Sequence, residues 1–321
     1  MVGQCAFVFP GQGSQSVGMG RALYEAFPAA KEVFQEVDEA LQQRLSTLMF
    51  EGEPEELTRT ENAQPALMAV SLAVLRVLQK EADWQFTEKA RVVAGHSLGE
   101  YSALAAAGSI SLTDVARLLR TRGRAMQKAV PPGEGGMAAL IGVTAAEALE
   151  ICEEARRHVD ASGQAILEVA NDNGGGQVVI SGHKAAIEAS LNCAKERGVK
   201  RAVILPVSAP FHCSLMQPAA DVMADALAEQ DFSAPHVPLI ANVTASEVSD
   251  PVMIKNLLVQ QVTGSVRWRE TVESLPGKDV SVVVEIGAGK VLSGLTRRIN
   301  SELTACNAAT PQDIDALLRV I

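Results

Sequence analysis

The alternation of short apolar runs with longer amphipathic stretches predicts an α/β protein. Unbroken apolar runs of this length are typical of strands buried on both faces in a parallel sheet. The predicted core strands are Cys5–Phe9, Val92–Ala94, Leu239–Asn242 and Val280–Ile286. Predicted helices between them run from about Arg21 to Leu45, from Ala63 to Lys80, from Tyr101 to Ala107, and, after a capping box at Ser111–Asp114, to about Val130.

A second unit is predicted after the strong chain breaker at residues 131–136. The pattern that follows is β-α-β-β-α-β, the order of a ferredoxin-like domain. Its predicted strands are Met137–Val143, Ile166–Ala170, Gln177–Ser181 and Arg201–Leu205, and its helices end at about Arg157 and Arg197. We therefore expect a ferredoxin-like subdomain at residues 132–206, inserted into a larger α/β domain formed by residues 1–131 and 207–321.

The segment Gly95-His96-Ser97-Leu98-Gly99 lies between a predicted strand and a predicted helix. This is the context of a nucleophile elbow, in which the serine sits on a sharp turn at the end of a sheet. The backbone N–H of Leu98 then points to where an oxyanion forms, and the Gly11–Gln15 loop suits the second wall of that site. An incidental serine in a glycine-rich turn is the weaker interpretation, because the flanking elements also fit.

A serine nucleophile needs a base, and His212 is the best candidate among five histidines. It lies in a loop that follows the predicted subdomain and precedes a helix, a setting where catalytic residues concentrate. Helix capping is its alternative role. No downstream acid stands out as the partner that would orient the imidazole: Asp221 and Asp225 are expected to face solvent, and spacing alone does not single out Glu285.

Arg122 falls on the apolar stripe of its predicted helix, with Val115, Leu118, Leu119 and Met126. The neighbouring Arg120 and Arg124 face other directions, as on an ordinary solvated basic face. An inward guanidinium requires an anion, and its forked shape suits a carboxylate. The sequence thus predicts an inward-facing cation that would pair with a carboxylate.

Composition narrows the classes of function. The formal net charge of −10 over 321 residues argues against nucleic acid as the main partner. The longest apolar stretch, Ala66–Leu78, is too short and too interrupted to span a membrane, and the N-terminus lacks a signal-peptide pattern. Five scattered cysteines without metal spacing fit a reducing cytoplasm. The Gly11–Gln15 loop lacks the spacing and lysine of a nucleotide-phosphate loop.

Taken together, six motifs resemble those of the bacterial malonyl-CoA:acyl carrier protein transacylases, in order, from about Ala6 to Arg298. They are Phe9–Gln15, Gly95–Glu100, Arg122 with Met126-Gln127, Gly176–Gly182, Pro210–His212 and Glu285–Lys290. The resemblance implies an α/β-hydrolase-like core with a ferredoxin-like subdomain. It also implies transfer of a malonyl group from malonyl-CoA, with acyl carrier protein as partner. It implies neither a metal nor a cofactor, and we expect a monomer.

The resemblance also implies roles for individual residues. Ser97 would be the nucleophile, His212 the base, and Arg122 the ligand of the malonyl carboxylate. The backbone amides of Gln12 and Leu98 would form the oxyanion hole.

In this family a glutamine backbone carbonyl, not a carboxylate, orients the histidine. Gln260 and Gln261 are both candidates, and counting back from Trp268 favours Gln261. Phe211, directly before His212, matches the pattern of relatives that prefer malonyl groups. The resemblance further implies that Met126 and Phe211 both bind the substrate.

Three other functions compete with this interpretation: a transferase for methylmalonyl or another extender unit, an esterase or thioesterase, and a non-catalytic scaffold. A scaffold would be expected to have lost Ser97, His212 or Arg122, and all three are present. Because acyl carrier proteins are acidic, docking requires a local basic patch. Its candidates are Lys200-Arg201, Lys290 and Arg297-Arg298.

Overall fold

Two separate β-sheets organise the chain. The computed structural model describes residues 4–82, 84–160 and 162–319. The strands in these residues are β1 (Gln4–Phe9), β2 (Ala90–Gly95), β3 (Gly135–Ile141), β4 (Leu167–Gly174), β5 (Gln177–His183), β6 (Arg201–Ile204), β7 (Leu239–Ile240), β8 (Glu247–Val248), β9 (Val280–Ile286) and β10 (Thr304–Ala308).

The larger sheet has the order β10-β9-β1-β2-β7-β8 and is parallel except at the β7–β8 pair. Alternate residues of β1 enter two different apolar clusters: Phe7 and Phe9 face one side of the sheet, Ala6 and Val8 the other. Burial on both faces explains why this strand is apolar without interruption. The predicted α/β class with a mostly parallel sheet is confirmed.

Helices pack against both sheets and connect their strands. The α-helices of the described residues are α1 (Arg21–Ala26), α2 (Pro28–Leu41), α3 (Leu45–Glu51), α4 (Pro54–Thr58), α5 (Thr60–Glu81), α6 (Phe86–Lys89), α7 (Gly99–Ala106), α8 (Leu112–Lys128), α9 (Ala145–Val159), α10 (Lys184–Glu196), α11 (Gln217–Ala228), α12 (Pro251–Thr263), α13 (Trp268–Ser274), α14 (Val291–Ile299) and α15 (Pro311–Leu317). Short 3-10 helices occur at Ser214–Met216 and Pro276–Lys278. Among the described residues, none of the helices combines the length and apolarity needed to cross a bilayer.

The smaller sheet is antiparallel, with the order β4-β5-β3-β6, and its elements follow one another as β3-α9-β4-β5-α10-β6. This is the predicted β-α-β-β-α-β sequence of elements. The buried residues of one apolar cluster all lie between Ala138 and Ala194, within this segment of the chain. We propose residues 132–206 as a subdomain between residues 1–131 and 207–321, because its strands and its apolar cluster are its own.

Three local predictions were wrong. The continuous helix from Arg21 to Leu45 is broken at Phe27, which is extended (φ −130°, ψ 121°) because the residue before a proline avoids helical angles. The Ser111 cap is only half a capping box: its hydroxyl accepts from the Asp114 amide, while the Asp114 carboxylate accepts from the Ser111 hydroxyl and not from the Ser111 amide. The polar residues 171–174, predicted as a loop, continue β4.

Candidate active site

The nucleophile elbow is formed as predicted, between β2 and α7. Ser97 has a φ of 53°, in the left-handed region that few non-glycine residues adopt. A Cβ on Gly95 would lie 1.9 Å from the carbonyl carbon of Gly99, and one on Gly99 would lie 2.1 Å from the Phe9 carbonyl oxygen. Both positions therefore need glycine, because backbone occupies the space of a side chain.

His212 lies beside Ser97. Its Nε2 is 2.7 Å from the Ser97 Oγ, and its Nδ1 is 2.9 Å from the Gln261 carbonyl oxygen and 3.1 Å from that of Gly264. Since carbonyl oxygens only accept hydrogen bonds, Nδ1 carries the proton and Nε2 is the free acceptor. This tautomer leaves His212 able to take the Ser97 proton.

Burial of His212 favours its neutral form. The ring is 4% exposed, and burial, followed by the positive charge of Arg122, lowers the pKa of His212 to about 3. Charged imidazole is disfavoured because it would be removed from water and placed near another cation. At neutral pH the residue therefore stands as a neutral proton acceptor.

Arg122 is 1% exposed, which confirms its predicted inward position on α8, and it reaches the same hydroxyl. Its Nη2 donates to the Ser97 Oγ at 3.1 Å and to the Gln261 Oε1 at 2.8 Å, and its Nη1 donates to the Gln64 Oε1 at 2.9 Å. The guanidinium carbon lies 5.6 Å from the centre of the Tyr101 ring. These partners are neutral, so they fix the cation without cancelling its charge.

Arg120 and Arg124, the arginines on either side of Arg122, have other partners. Arg124 is exposed and forms an ion pair with Glu61 at 2.7 Å. Arg120 does not face solvent as expected: it is only 7% exposed, and its Nε donates to the Glu61 carbonyl oxygen at 2.9 Å. This partner, Glu61, lies at the start of α5, so the spacing of residues along α8 alone does not reveal that Arg120 is buried.

Gln12 and Leu98 both line the cavity above Ser97. Since β1 and β2 are adjacent and parallel, the loops at their carboxyl ends meet at one edge of the sheet. Within the described residues, the backbone N–H of neither Gln12 nor Leu98 donates to another protein group. The Gln12 side chain is fixed separately, since its Oε1 accepts from the Thr60 hydroxyl at 2.6 Å. Two backbone amides without a protein acceptor therefore belong to residues that line the cavity containing Ser97.

The cavity that contains Ser97 measures about 510 Å³ and lies between the smaller sheet and the loops that follow β1 and β2. The predicted substrate-binding residues Met126 and Phe211 both line it, as does His96. The smaller sheet contributes five residues to the wall: Met137, Asn171, Asn173, Gln177 and Val179. A ligand in this cavity would contact the smaller sheet and the loops that follow β1 and β2 of the larger sheet.

Residues considered earlier as alternatives have structural partners. His96 turns away from Ser97: its Nε2 lies 2.8 Å from the Asn173 Oδ1, and its ring packs near Trp268. Glu285 is buried and accepts from the first backbone amides of α14. Asp221 and Asp225 are exposed on α11, as expected.

Glu100 is a buried carboxyl beneath the elbow. Its Oε2 accepts from the Asn242 amide and from the Gln261 Nε2, each at 2.9 Å. Burial raises the pKa of Glu100 to about 7, and these two donors and the charge of Arg122 oppose the rise. The carboxyl is thus kept partly neutral behind the nucleophile.

Sequence reasoning did not identify Gln64 or Gly264. Gln64 is one of four buried polar residues on α5, directly before the apolar stretch of that helix, so its position carried little signal. Gly264 acts only through its backbone carbonyl, so its side-chain type carries no signal. Of the two candidate glutamines, Gln261 supplies the carbonyl, and Gln260 is exposed.

Comparison with known proteins gives consistent matches over nearly the whole chain. The model of the acyl transferase domain family matches residues 6–309. The malonyl CoA-acyl carrier protein transacylase of Bacillus subtilis (strain 168) is 44% identical over 98% of this chain and 96% of its own length.

Solved structures agree with these matches. The acyl-carrier-protein S-malonyltransferase of Bartonella henselae is 56% identical, covers 99% of both chains and superposes with a TM-score of 0.95. A malonyl-transacylase solved in complex with its type II PKS acyl-carrier protein is 41% identical, covers 98% of this chain and 99% of its own, and has a TM-score of 0.93. The chain therefore belongs to the acyl transferase family and, within it, to the malonyl-CoA:acyl carrier protein transacylases.

Proposed function

We propose that this enzyme transfers the malonyl group from malonyl-CoA to the phosphopantetheine thiol of acyl carrier protein, through a malonyl-Ser97 intermediate. The observation that carries the proposal is the convergence of a neutral base and a buried cation on one hydroxyl. The Ser97 Oγ lies 2.7 Å from the His212 Nε2 and 3.1 Å from the Arg122 Nη2. This arrangement suits a nucleophile whose substrate carries a carboxylate.

In the first half-reaction, His212 Nε2 takes the Ser97 proton as Oγ attacks the thioester carbonyl carbon. The carbonyl oxygen becomes an oxyanion, which the backbone amides of Gln12 and Leu98 stabilise. Collapse of the tetrahedral intermediate breaks the C–S bond, and the His212 imidazolium gives its proton to the departing CoA thiolate. The Gln261 and Gly264 carbonyls hold Nδ1–H throughout and stabilise the transient charge.

In the second half-reaction, the carrier-protein thiol takes the place of CoA. Neutral His212 removes the thiol proton, the sulfur attacks the malonyl ester, and the same amides hold the second oxyanion. Ser97 then leaves with the proton from His212, which restores the free enzyme. Each half-reaction therefore uses the same groups in opposite order.

Arg122 selects the acyl group in this proposal. A malonyl carboxylate would pair with the guanidinium, whereas an acetyl group would leave a buried cation without a counter-charge. Phe211, 8% exposed at the cavity wall, restricts the space next to the acyl group. A malonyl group therefore fits both the charge and the space better than a neutral acyl group does.

The carrier-protein docking surface stays a prediction. Lys200, Arg201, Lys290, Arg297 and Arg298 are all exposed, and Val291, next to Lys290, lines the cavity. Electrostatic steering by these residues would raise the rate of association with an acidic carrier. Charge reversal at Lys290 is expected to raise the KM for carrier protein and weaken its salt dependence. Unchanged carrier kinetics and salt dependence would dismiss this surface.

Intact-protein mass spectrometry tests the proposed reaction directly. After mixing with malonyl-CoA, the enzyme is expected to gain one malonyl group, which Ser97→Ala should not acquire. Addition of holo acyl carrier protein should move the group to the carrier. Release of free malonate faster than transfer would instead indicate a hydrolase, and preferential labelling by methylmalonyl-CoA would indicate another extender transferase.

A further inference from the structure

Asn242 lies in the loop after β7, 1% exposed, directly beneath the nucleophile elbow. Its Oδ1 accepts from the Ser97 backbone N–H at 2.8 Å, and its Nδ2 donates to the Gly95 carbonyl oxygen at 2.6 Å. One amide side chain thus holds the backbone on both sides of His96. None of the chemical steps proposed above uses it.

The elbow needs support of this kind because Ser97 occupies the left-handed region. Such a conformation persists in a non-glycine residue only when surrounding contacts over-determine it. The Ser97 N–H finds its acceptor 145 positions away in the chain. The Ser97 carbonyl oxygen is held in the same way, since it accepts from the Gln261 Nε2 at 3.0 Å.

Asn242 is itself fixed by its own backbone. Its N–H donates to the Glu100 Oε2 at 2.9 Å, and its carbonyl oxygen accepts from the Arg267 amide at 3.0 Å. The side chain therefore has little freedom to follow a displaced elbow. Its amide acts as a rigid donor–acceptor pair, which matches one N–H and one carbonyl of the turn.

We propose that Asn242 is a positioning residue for acyl transfer, whose side-chain amide holds the elbow so that the Ser97 Oγ stays in line with the His212 Nε2. It contacts the backbone of the nucleophile and not the reacting atoms. This inference rests on the proposed function. Displacement by about 1 Å is sufficient to cost a reaction of this kind on the order of 10²-fold in rate.

The test compares Asn242→Ala with Asn62→Ala. Asn62 is also buried, at 3% exposed, and in the part of the chain that the structure describes its side chain bonds to Glu56 alone, outside the cavity. The rate of malonyl-enzyme formation is measured by rapid quenching and intact mass, over a range of malonyl-CoA concentrations. Asn242→Ala is expected to lower the limiting rate about 10²-fold with little change in half-saturating concentration, because Arg122 still binds the carboxylate. Asn62→Ala should leave both values unchanged.

Asn242→Asp adds a second measurement, the pH dependence of acylation, which a merely structural role of Asn242 would not change. An ionised aspartate accepts from the Ser97 N–H but repels the Gly95 carbonyl, whereas a protonated one can donate to it. Its acylation rate relative to wild type is therefore expected to rise as the pH falls. The titratable or charged groups around this position are Glu100, Arg122, His212 and His96. They are present in both proteins, so dividing by the wild-type rate at each pH removes their contribution.

The outcomes separate this inference from the proposed function. If the wild-type enzyme gains no malonyl group, the proposed function fails before Asn242 is tested. An unchanged limiting rate in folded Asn242→Ala, or a pH-independent ratio for Asn242→Asp, would overturn the positioning role. Failure of both variants to fold under conditions where Asn62→Ala folds would also overturn it, since Asn242 would then support folding and not the geometry of one step.

Discussion

Replacement of Arg122 should change which acyl groups the enzyme accepts. In Arg122→Ala, a malonyl carboxylate would enter a buried cavity without its cation, because Gln64 and Gln261 offer it no charge. The reverse holds for acetyl-CoA, which no longer leaves a buried guanidinium unpaired. The variant is therefore expected to lose malonyl transfer and to relax selectivity towards uncharged acyl groups.

The magnitude follows from the burial of the guanidinium, which is 1% exposed. Removal of one partner from a buried ion pair costs about 3–5 kcal/mol. This corresponds to a loss of roughly 10²–10⁴-fold in kcat/KM for malonyl-CoA. The Nη2–Ser97 contact is lost as well, so acetyl transfer is not expected to gain by the same factor.

The assay measures kcat/KM for malonyl-CoA and acetyl-CoA with the same holo carrier protein as acceptor. Arg124→Ala is the matched control, since Arg124 lies on the same helix but is exposed and paired with Glu61. The control should keep the wild-type malonyl preference. Full malonyl preference in Arg122→Ala would refute the carboxylate role of Arg122.

Three further predictions concern pH and backbone packing. Because burial and Arg122 lower the pKa of His212 to about 3, the rate of Ser97 acylation should not fall near pH 6.5, where an ordinary histidine becomes protonated. Stopped-flow measurements of acylation between pH 5 and 8 test this, and a rate that falls with an apparent pKa near 6.5 would contradict it. Burial raises the pKa of Glu100 from 4.5 to about 7, so its protonated form stabilises the fold below pH 4.5 and this contribution is lost as the pH rises through 7. In Glu100→Gln the free energy of unfolding, measured with urea, should no longer fall over this pH range, and an unchanged pH dependence would argue against the assignment. Gly95→Ala should lower the free energy of unfolding by about 3 kcal/mol or more, because its Cβ meets backbone at 1.9 Å; Gly136→Ala, whose Cβ meets nothing within 4 Å, is the control, and equal stabilities of the two variants would contradict the steric argument.

Much of the fold was predictable because its elements have strong local signals. Strands buried on both faces are apolar without interruption, and the elbow combines a motif with flanking elements of the right type. The inward position of Arg122 followed from helical spacing alone. The same spacing could not show that Arg120 is also buried, because burial depends on which distant segment covers a side chain.

The resemblance implied the Gln261 carbonyl, but two other supporting groups were not predicted, since one acts through a backbone carbonyl and the other through a side-chain amide distant in sequence. Gly264 contributes only a carbonyl oxygen to His212. Asn242 bonds to Ser97 across 145 positions. The polar residues 171–174 have the composition of a turn, yet they pair with β5 and supply Asn171 and Asn173 to the cavity wall.

A carbonyl orienter fits a site that must receive an anion. A carboxylate at the Nδ1 of His212 would raise the basicity of the imidazole, but it would also repel an incoming malonyl group and compete for Arg122. The neutral carbonyls of Gln261 and Gly264 fix the same tautomer without that competition. Glu100, the buried carboxyl behind Ser97, has its pKa raised to about 7, which limits its negative charge. The positive charge of Arg122 thus remains available to the substrate, which explains how a serine–histidine pair and a buried arginine work in one cavity.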